Sequence, residues 1–171
     1  MERSATSAAE NPFFAMAKRY GNDPVLFARE VLGVDPDPWQ DEFLNIVANP
    51  KERRISVRSG HGVGKSTAVA MAAIWHLAWR VPGKVVMTAP TSAQLFDALF
   101  AEVKRLCRDI KPPFHELFEV KGDRIELRGR AADSFILPDE PCGTAGSVGG
   151  CSLAACVVDC GRGEWCAGSG F

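Results

Sequence analysis

The residues with the clearest capacity for chemistry are Ser59-Gly60-His61-Gly62-Val63-Gly64-Lys65-Ser66-Thr67. Three glycines at alternate positions let the backbone curl until successive N–H groups point at one anion. A lysine then supplies a mobile point charge for β- and γ-phosphates, and a hydroxyl at Ser66 suits a Mg²⁺ ion. The pattern is that of a phosphate-binding loop with Ser59 in place of the first glycine. The chemistry it predicts is binding of ATP with Mg²⁺, with Ser59 to Thr67 as the cradle. His61 reads as a solvent-facing filler of the loop. Arg58 is either a strand-end charge or a cation able to swing toward the γ-phosphate. The bland alternative is a chance glycine-rich turn before a helix.

Such a loop works only between a strand and a helix, because the helix's positive end completes the anion site. The alternation Arg54-Ile55-Ser56-Val57-Arg58 predicts a strand entering the loop. From Lys65 a breaker-free run to Arg80 predicts a buried helix ending near Pro82-Gly83. KVVMTAP predicts a buried parallel strand. TSAQLFDALFAEVKRLCRDI predicts an amphipathic helix with Leu95, Leu99, Val103, Leu106 and Ile110 on one face. Upstream, a short helix closed by Gly33 and a second one stopped at Asn49-Pro50 are expected. Downstream, FEVKGDRIELRG predicts two strands about the turn Lys121-Gly122-Asp123, with AADSFIL as a third. The expected fold class is α/β, with a mostly parallel sheet and flanking helices.

The chain has 171 residues and a net charge of -1, so composition carries no global basic footprint for nucleic acid. Lys104, Arg105, Arg108 and Lys111 share one expected helix and suit either phosphate contact or a solvated face. There is no secretory signal pattern, and the longest apolar run, Thr67 to Trp79, is too short for a bilayer. A cytoplasmic protein without membrane contact is expected. Residues 1–22 are expected to lack ordered structure, 23–137 to form the nucleotide domain, and 138–171 to be irregular.

Three segments in order, Trp39-Gln40 in DPWQDEFL, VRSGHGVGKST, and VVMTAPTSAQL, resemble the ATPase domain of phage and prophage large terminase subunits. The resemblance runs from about Asp23 to Ile136. It implies a motor that couples ATP hydrolysis to translocation of double-stranded DNA into a capsid. The partners it implies are a small terminase subunit and a portal protein, within an oligomer. By the same resemblance Gln40 matches the glutamine that reads the adenine edge, and Thr88 to Thr91 with Gln94 match a segment linking nucleotide to DNA movement. The plainer readings are a helix-start polar group for Gln40 and a helix cap for Thr91.

A motor of this class needs a strand ending in Asp-Glu after the loop, and none follows. Asp139-Glu140 is flanked by prolines, and Val157-Val158-Asp159 lacks the glutamate. The tail after Leu137 instead turns rich in glycine and carries Cys142, Cys151, Cys156, Cys160 and Cys166. Permitted codons for this tail, read one nucleotide later, allow QHVLLIADEASGVPEAV, an apolar strand followed by Asp-Glu-Ala-Ser. A one-nucleotide frameshift near Ile136 or Leu137 would explain both the missing acid pair and the cysteines. The rival, a zinc site, has no C-x₂-C pair behind it. Weak or absent hydrolysis is expected. The alternatives in function are a non-hydrolysing nucleotide- or partner-binding module, or another helicase-like ATPase.

Overall fold

The computed structural model describes residues 12–49, 51, 55–58, 60–139 and 156–159, of which 12–15 and 156–159 are described by backbone alone. Helix α1 spans Pro12–Tyr20 and α2 spans Pro24–Phe27, which runs on as a π-helical turn, Ala28–Leu32. Asp23 caps α2 by accepting from Leu26 N–H at 2.8 Å, and Pro24 occupies the first helical position. Gly33 closes this element in the left-handed region, φ 71°. Helix α3 spans Pro38–Ala48 and α4 spans Lys65–Trp79.

Strand β1, Lys84–Thr88, precedes a π-helical segment, Gln94–Phe100, that continues as α5, Ala101–Asp109. All five apolar residues foreseen on that helix, Leu95, Leu99, Val103, Leu106 and Ile110, are buried. A 3₁₀ turn, Phe114–Leu117, leads into β2, Phe118–Val120, then β3, Ile125–Leu127, and β4, Phe135–Pro138. The last described strand is β5, Cys156–Asp159.

The five strands form one sheet in the order β2-β3-β4-β1-β5. Among the described strands only β1 and β4 run parallel, with Val85 opposite Ile136; the pairs β2–β3, β3–β4 and β1–β5 are antiparallel. The protein is therefore α/β with a mixed sheet, and the expected mostly parallel sheet is corrected. The cause is local. The turn Lys121-Gly122-Asp123 is short enough only for a hairpin, and a parallel pair needs a crossover of a dozen or more residues.

Two further expectations are corrected. Residues 55–58 form no strand, and Ser56, Val57 and Arg58 are exposed. Both sides of β1 are taken, by β4 and β5, so the segment has no ladder partner there to repay an extended backbone. The amino terminus differs as well. Pro12–Tyr20 is helical, and Tyr20 sits in the core with its carbonyl accepting from Trp75 Nε1 at 2.8 Å. The ring also lies against Phe27, Trp79 and Phe114. Of the tail foreseen as irregular, 156–159 form β5; the rest lies outside the described residues.

Helix α4 is the structural axis of the protein. Its Ala68, Ala70, Met71, Ala72, Ala73, Ile74, Trp75, Leu77 and Ala78 are buried, so it is packed on several sides. A helix apolar on most of its surface belongs in an interior, and small alanines let its neighbours approach. The amino-terminal end of this fixed helix is where the glycine-rich loop attaches.

Candidate functional site: the glycine-rich loop

The loop reaches α4 through two glycines in the left-handed region, Gly62 at φ 74° and Gly64 at φ 79°. A residue with a side chain is strained at such angles by about 1–2 kcal/mol, so the sequence places glycine where the backbone demands it. A Cβ added at Gly60 or at Gly62 would meet nothing within 4 Å, so both border open space. Gly64 differs: an added Cβ would lie 2.6 Å from Gln40 Nε2.

The first intrahelical bond of α4 runs from Ala68 N–H to Gly64 O at 3.0 Å. Amides before Ala68 point out of the helix's amino-terminal end, where the helix dipole favours an anion. Lys65 occupies the first helical position, buried, and its ammonium donates back to Gly60 O across the loop. Curled backbone, open glycines, outward amides and a lysine folded over them suit a phosphate chain. They are the observations of this structure that fit a nucleotide there. Ser66, half-buried in the first turn, carries a hydroxyl of the kind that can ligate a Mg²⁺ ion.

Thr67 is turned elsewhere. Its hydroxyl donates to Glu102 Oε1 on α5 at 2.9 Å. Glu102 also accepts from Arg105 Nη2 at 2.8 Å and from Arg105 Nε at 2.9 Å. The Arg105 fork, together with the Thr67 hydroxyl, holds the Glu102 carboxyl below the ordinary carboxylate range. Thr67 thus stands in the cradle by sequence and against α5 by side chain.

Gln40 is brought to the loop, although 24 residues separate it from Gly64. Its Nε2 donates to Gly64 O at 3.0 Å, and its Oε1 accepts from Asp37 N–H at 3.0 Å. The side chain is buried. One face of the carboxamide therefore serves the amino-terminal turn of α3 and the other serves the loop. Gly64 O receives both Ala68 N–H and Gln40 Nε2, which uses its two lone pairs.

Arg58 and His61 are exposed, Val63 is half-buried, and Ser59 lies outside the described residues. The basic residues of α5 are partly committed to the protein itself. Lys104 donates to Gly122 O at 2.6 Å and lies over the Phe100 ring. Arg105 bonds Glu102 and Asp109. Thr91 does cap the following helix: its Oγ1 accepts from Gln94 N–H at 3.2 Å. Glu102 was not foreseen from sequence. Its only signal there was a lone acid beside basic residues on a helix.

The two acids weighed as substitutes for the missing pair fall at opposite ends of the sheet. Asp159 is opposite Val85, near the start of β1, because β5 runs antiparallel. A short connection, residues 80–83, reverses the chain between α4 and β1, so the start of β1 lies by the end of α4, far from the loop. Asp139 follows β4, which is parallel to β1, and its N–H donates to Met87 O at 2.7 Å. It stands at the sheet end that α4's first turn shares. Glu140 and the side chains of the five tail cysteines lie outside the described residues. Among the described residues no group of three or more His, Cys, Asp or Glu is arranged to hold a metal. No described helix is long and apolar enough to cross a membrane.

Comparison of the chain with protein-family models, with curated proteins and with solved structures finds no match.

Proposed function

We propose that the loop of residues 59–66 binds the phosphates of ATP with Mg²⁺, and that the chain derives from the ATPase domain of a phage large terminase subunit. The observation that carries the first half is Lys65 folded over a loop of left-handed glycines at the amino-terminal end of a buried helix. In this reading Lys65 turns from Gly60 O to the phosphates, the loop amides around Gly62 to Gly64 cradle them, and Ser66 holds Mg²⁺. Gln40 either reads the base or, as its two hydrogen bonds favour, holds the loop in shape. The second half rests on the three sequence segments alone. Through them double-stranded DNA, a small terminase subunit and a portal protein are proposed as partners, in a cytoplasmic setting.

Hydrolysis is expected to be weak. An attacking water needs an acid held close to the phosphates; Asp159 lies at the far end of the sheet, and Asp139, at the loop's end, is an exposed residue after Pro138 rather than the close of an apolar Asp-Glu strand. A non-hydrolysing nucleotide-binding module is therefore the second reading, favoured by the antiparallel run of β5. Steady-state ATPase activity measured beside ATP affinity separates the two. Binding lost in Lys65→Ala, with little turnover in either form, is the expected result. Robust turnover abolished by Lys65→Ala would overturn the non-hydrolysing reading, and binding indifferent to Lys65→Ala would overturn the site. The coding DNA tests the family: a shifted frame that reads on through an Asp-Glu strand supports it.

A further inference from the structure

Helix α5, packed along α4, places one carboxylate against the first turn of that helix. The Thr67 hydroxyl, Glu102 and the Arg105 guanidinium form a chain at 2.9 and 2.8 Å. Arg105 is in turn held by Asp109 at 3.1 Å, one turn farther along α5. The Glu102 side chain is only 20% exposed, so the Thr67 bond is a sheltered, charge-assisted one.

We infer that Glu102 is a positioning residue for the phosphate loop, acting through Thr67 to aim the Ser66 hydroxyl at the Mg²⁺ of a bound nucleoside triphosphate. This rests on the nucleotide-binding reading above. The first turn of a helix lacks half its hydrogen bonds and frays most readily, so a tether there fixes what the rest of α4 cannot. Successive side chains diverge by about 100° around a helix axis. Thr67 bound to α5 therefore sets the direction of Ser66, and its own hydroxyl is kept from competing for the cation. Arg105, shared between Glu102 and Asp109, offsets part of the negative charge that the tether brings near the first turn of α4.

The role is read in the split between metal-dependent and metal-free binding, using a fluorescent ATP analogue with the full chain in Mg²⁺ and in EDTA. Thr67→Val should weaken binding in Mg²⁺ about fivefold to tenfold, a part of what one charge-assisted hydrogen bond is worth, because the bond acts on the cation only through Ser66. Binding in EDTA should stay within about twofold of the parent, and Thr67→Ser should restore the Mg²⁺ effect. Glu102→Ala is the independent variant. It should lose the same factor, and combining it with Thr67→Val should add little, because both remove one interaction. Equal losses in Mg²⁺ and EDTA would show a merely structural contact and overturn the inference. So would a parent-like Thr67→Val or Glu102→Ala. A parent chain that binds no analogue in either buffer would instead overturn the nucleotide-binding reading, and this inference with it.

Discussion

Gln40 and Gly64 are locked together: the carboxamide nitrogen donates to the glycine carbonyl at 3.0 Å, and a methyl group on Gly64 would intrude to 2.6 Å from that nitrogen. The contact joins the start of α3 to the end of the loop. It makes the loop's shape depend on a residue far away in sequence.

Gly64→Ala should be destabilising for two separable reasons. The left-handed φ of 79° costs a residue with a side chain about 1–2 kcal/mol. The new methyl also displaces Gln40, which leaves buried polar groups unsatisfied. Gln40→Leu removes the bond without the backbone strain, at a cost of about 1–3 kcal/mol. Urea denaturation should rank Gly64→Ala as the more damaging. The reverse order would show that the carboxamide, rather than the backbone angle, dominates.

Trp75 is fully buried in α4 and donates to the Tyr20 carbonyl at 2.8 Å. Trp75→Phe deletes that donor and leaves a partial cavity, so a loss of about 2–4 kcal/mol is expected. Limited proteolysis should then show earlier cleavage within Pro12–Tyr20, since the bond ties that helix to the core. An unchanged cleavage pattern would show α1 to be held by its ring contacts alone.

Glu126 on β3 is buried, with Lys121 Nζ at 2.5 Å and Arg124 Nε at 2.6 Å. The Arg124 contact is an ion pair without hydrogen-bond alignment. Removing both cations strands a buried carboxylate and should cost about 3–5 kcal/mol. Glu126→Leu frees two half-exposed cations to water and should cost less. Thermal melts of Lys121→Ala/Arg124→Ala beside Glu126→Leu test the order; a less stable Glu126→Leu would contradict it.

Two carboxyls, Glu102 and Glu30, are held below their ordinary range, by Arg105 and by Arg19 respectively. A depressed carboxyl contributes stability that is present above its unfolded pKa and lost as pH falls through its lower folded value. Stability should therefore be insensitive to these groups near neutrality and decline below about pH 4.3, the ordinary glutamate value. Glu102→Gln should flatten that acid decline. An acid limb as steep as the parent's would show that the Glu102 pairing contributes nothing to it. The Cys107 thiol, pushed up to about 12 by burial, should resist alkylation in the folded chain.

Much of the local structure was legible because it depends on neighbours in the chain. The helix from Lys65, the Gly33 stop, the apolar face from Leu95 to Ile110 and the hairpin at Gly122 follow from periodicity, caps and turn residues. The strand at 54–58 did not form at the described positions. Its alternating residues suit a strand, yet a strand exists only when another offers a ladder, and no local pattern reveals whether that place is taken. The helix Pro12–Tyr20 was hidden for a similar reason, since its ordering comes from Tyr20 meeting Trp75, 55 residues away.

By itself the sequence determined the chemistry on offer: three glycines running into a lysine and two hydroxyls that open a long helix, the spacing on which the proposed phosphate site rests. Tertiary structure alone decided what surrounds them. It brought Gln40 onto Gly64, turned Thr67 to Glu102, tied up Lys104 and Arg105 within the protein, and set β5 antiparallel to β1 so that Asp159 lies far from the loop. The physical reason is range. Backbone angles and helix starts are settled by residues a few positions apart, whereas hydrogen-bond partners and strand direction are settled by segments that meet only when the chain has closed on itself.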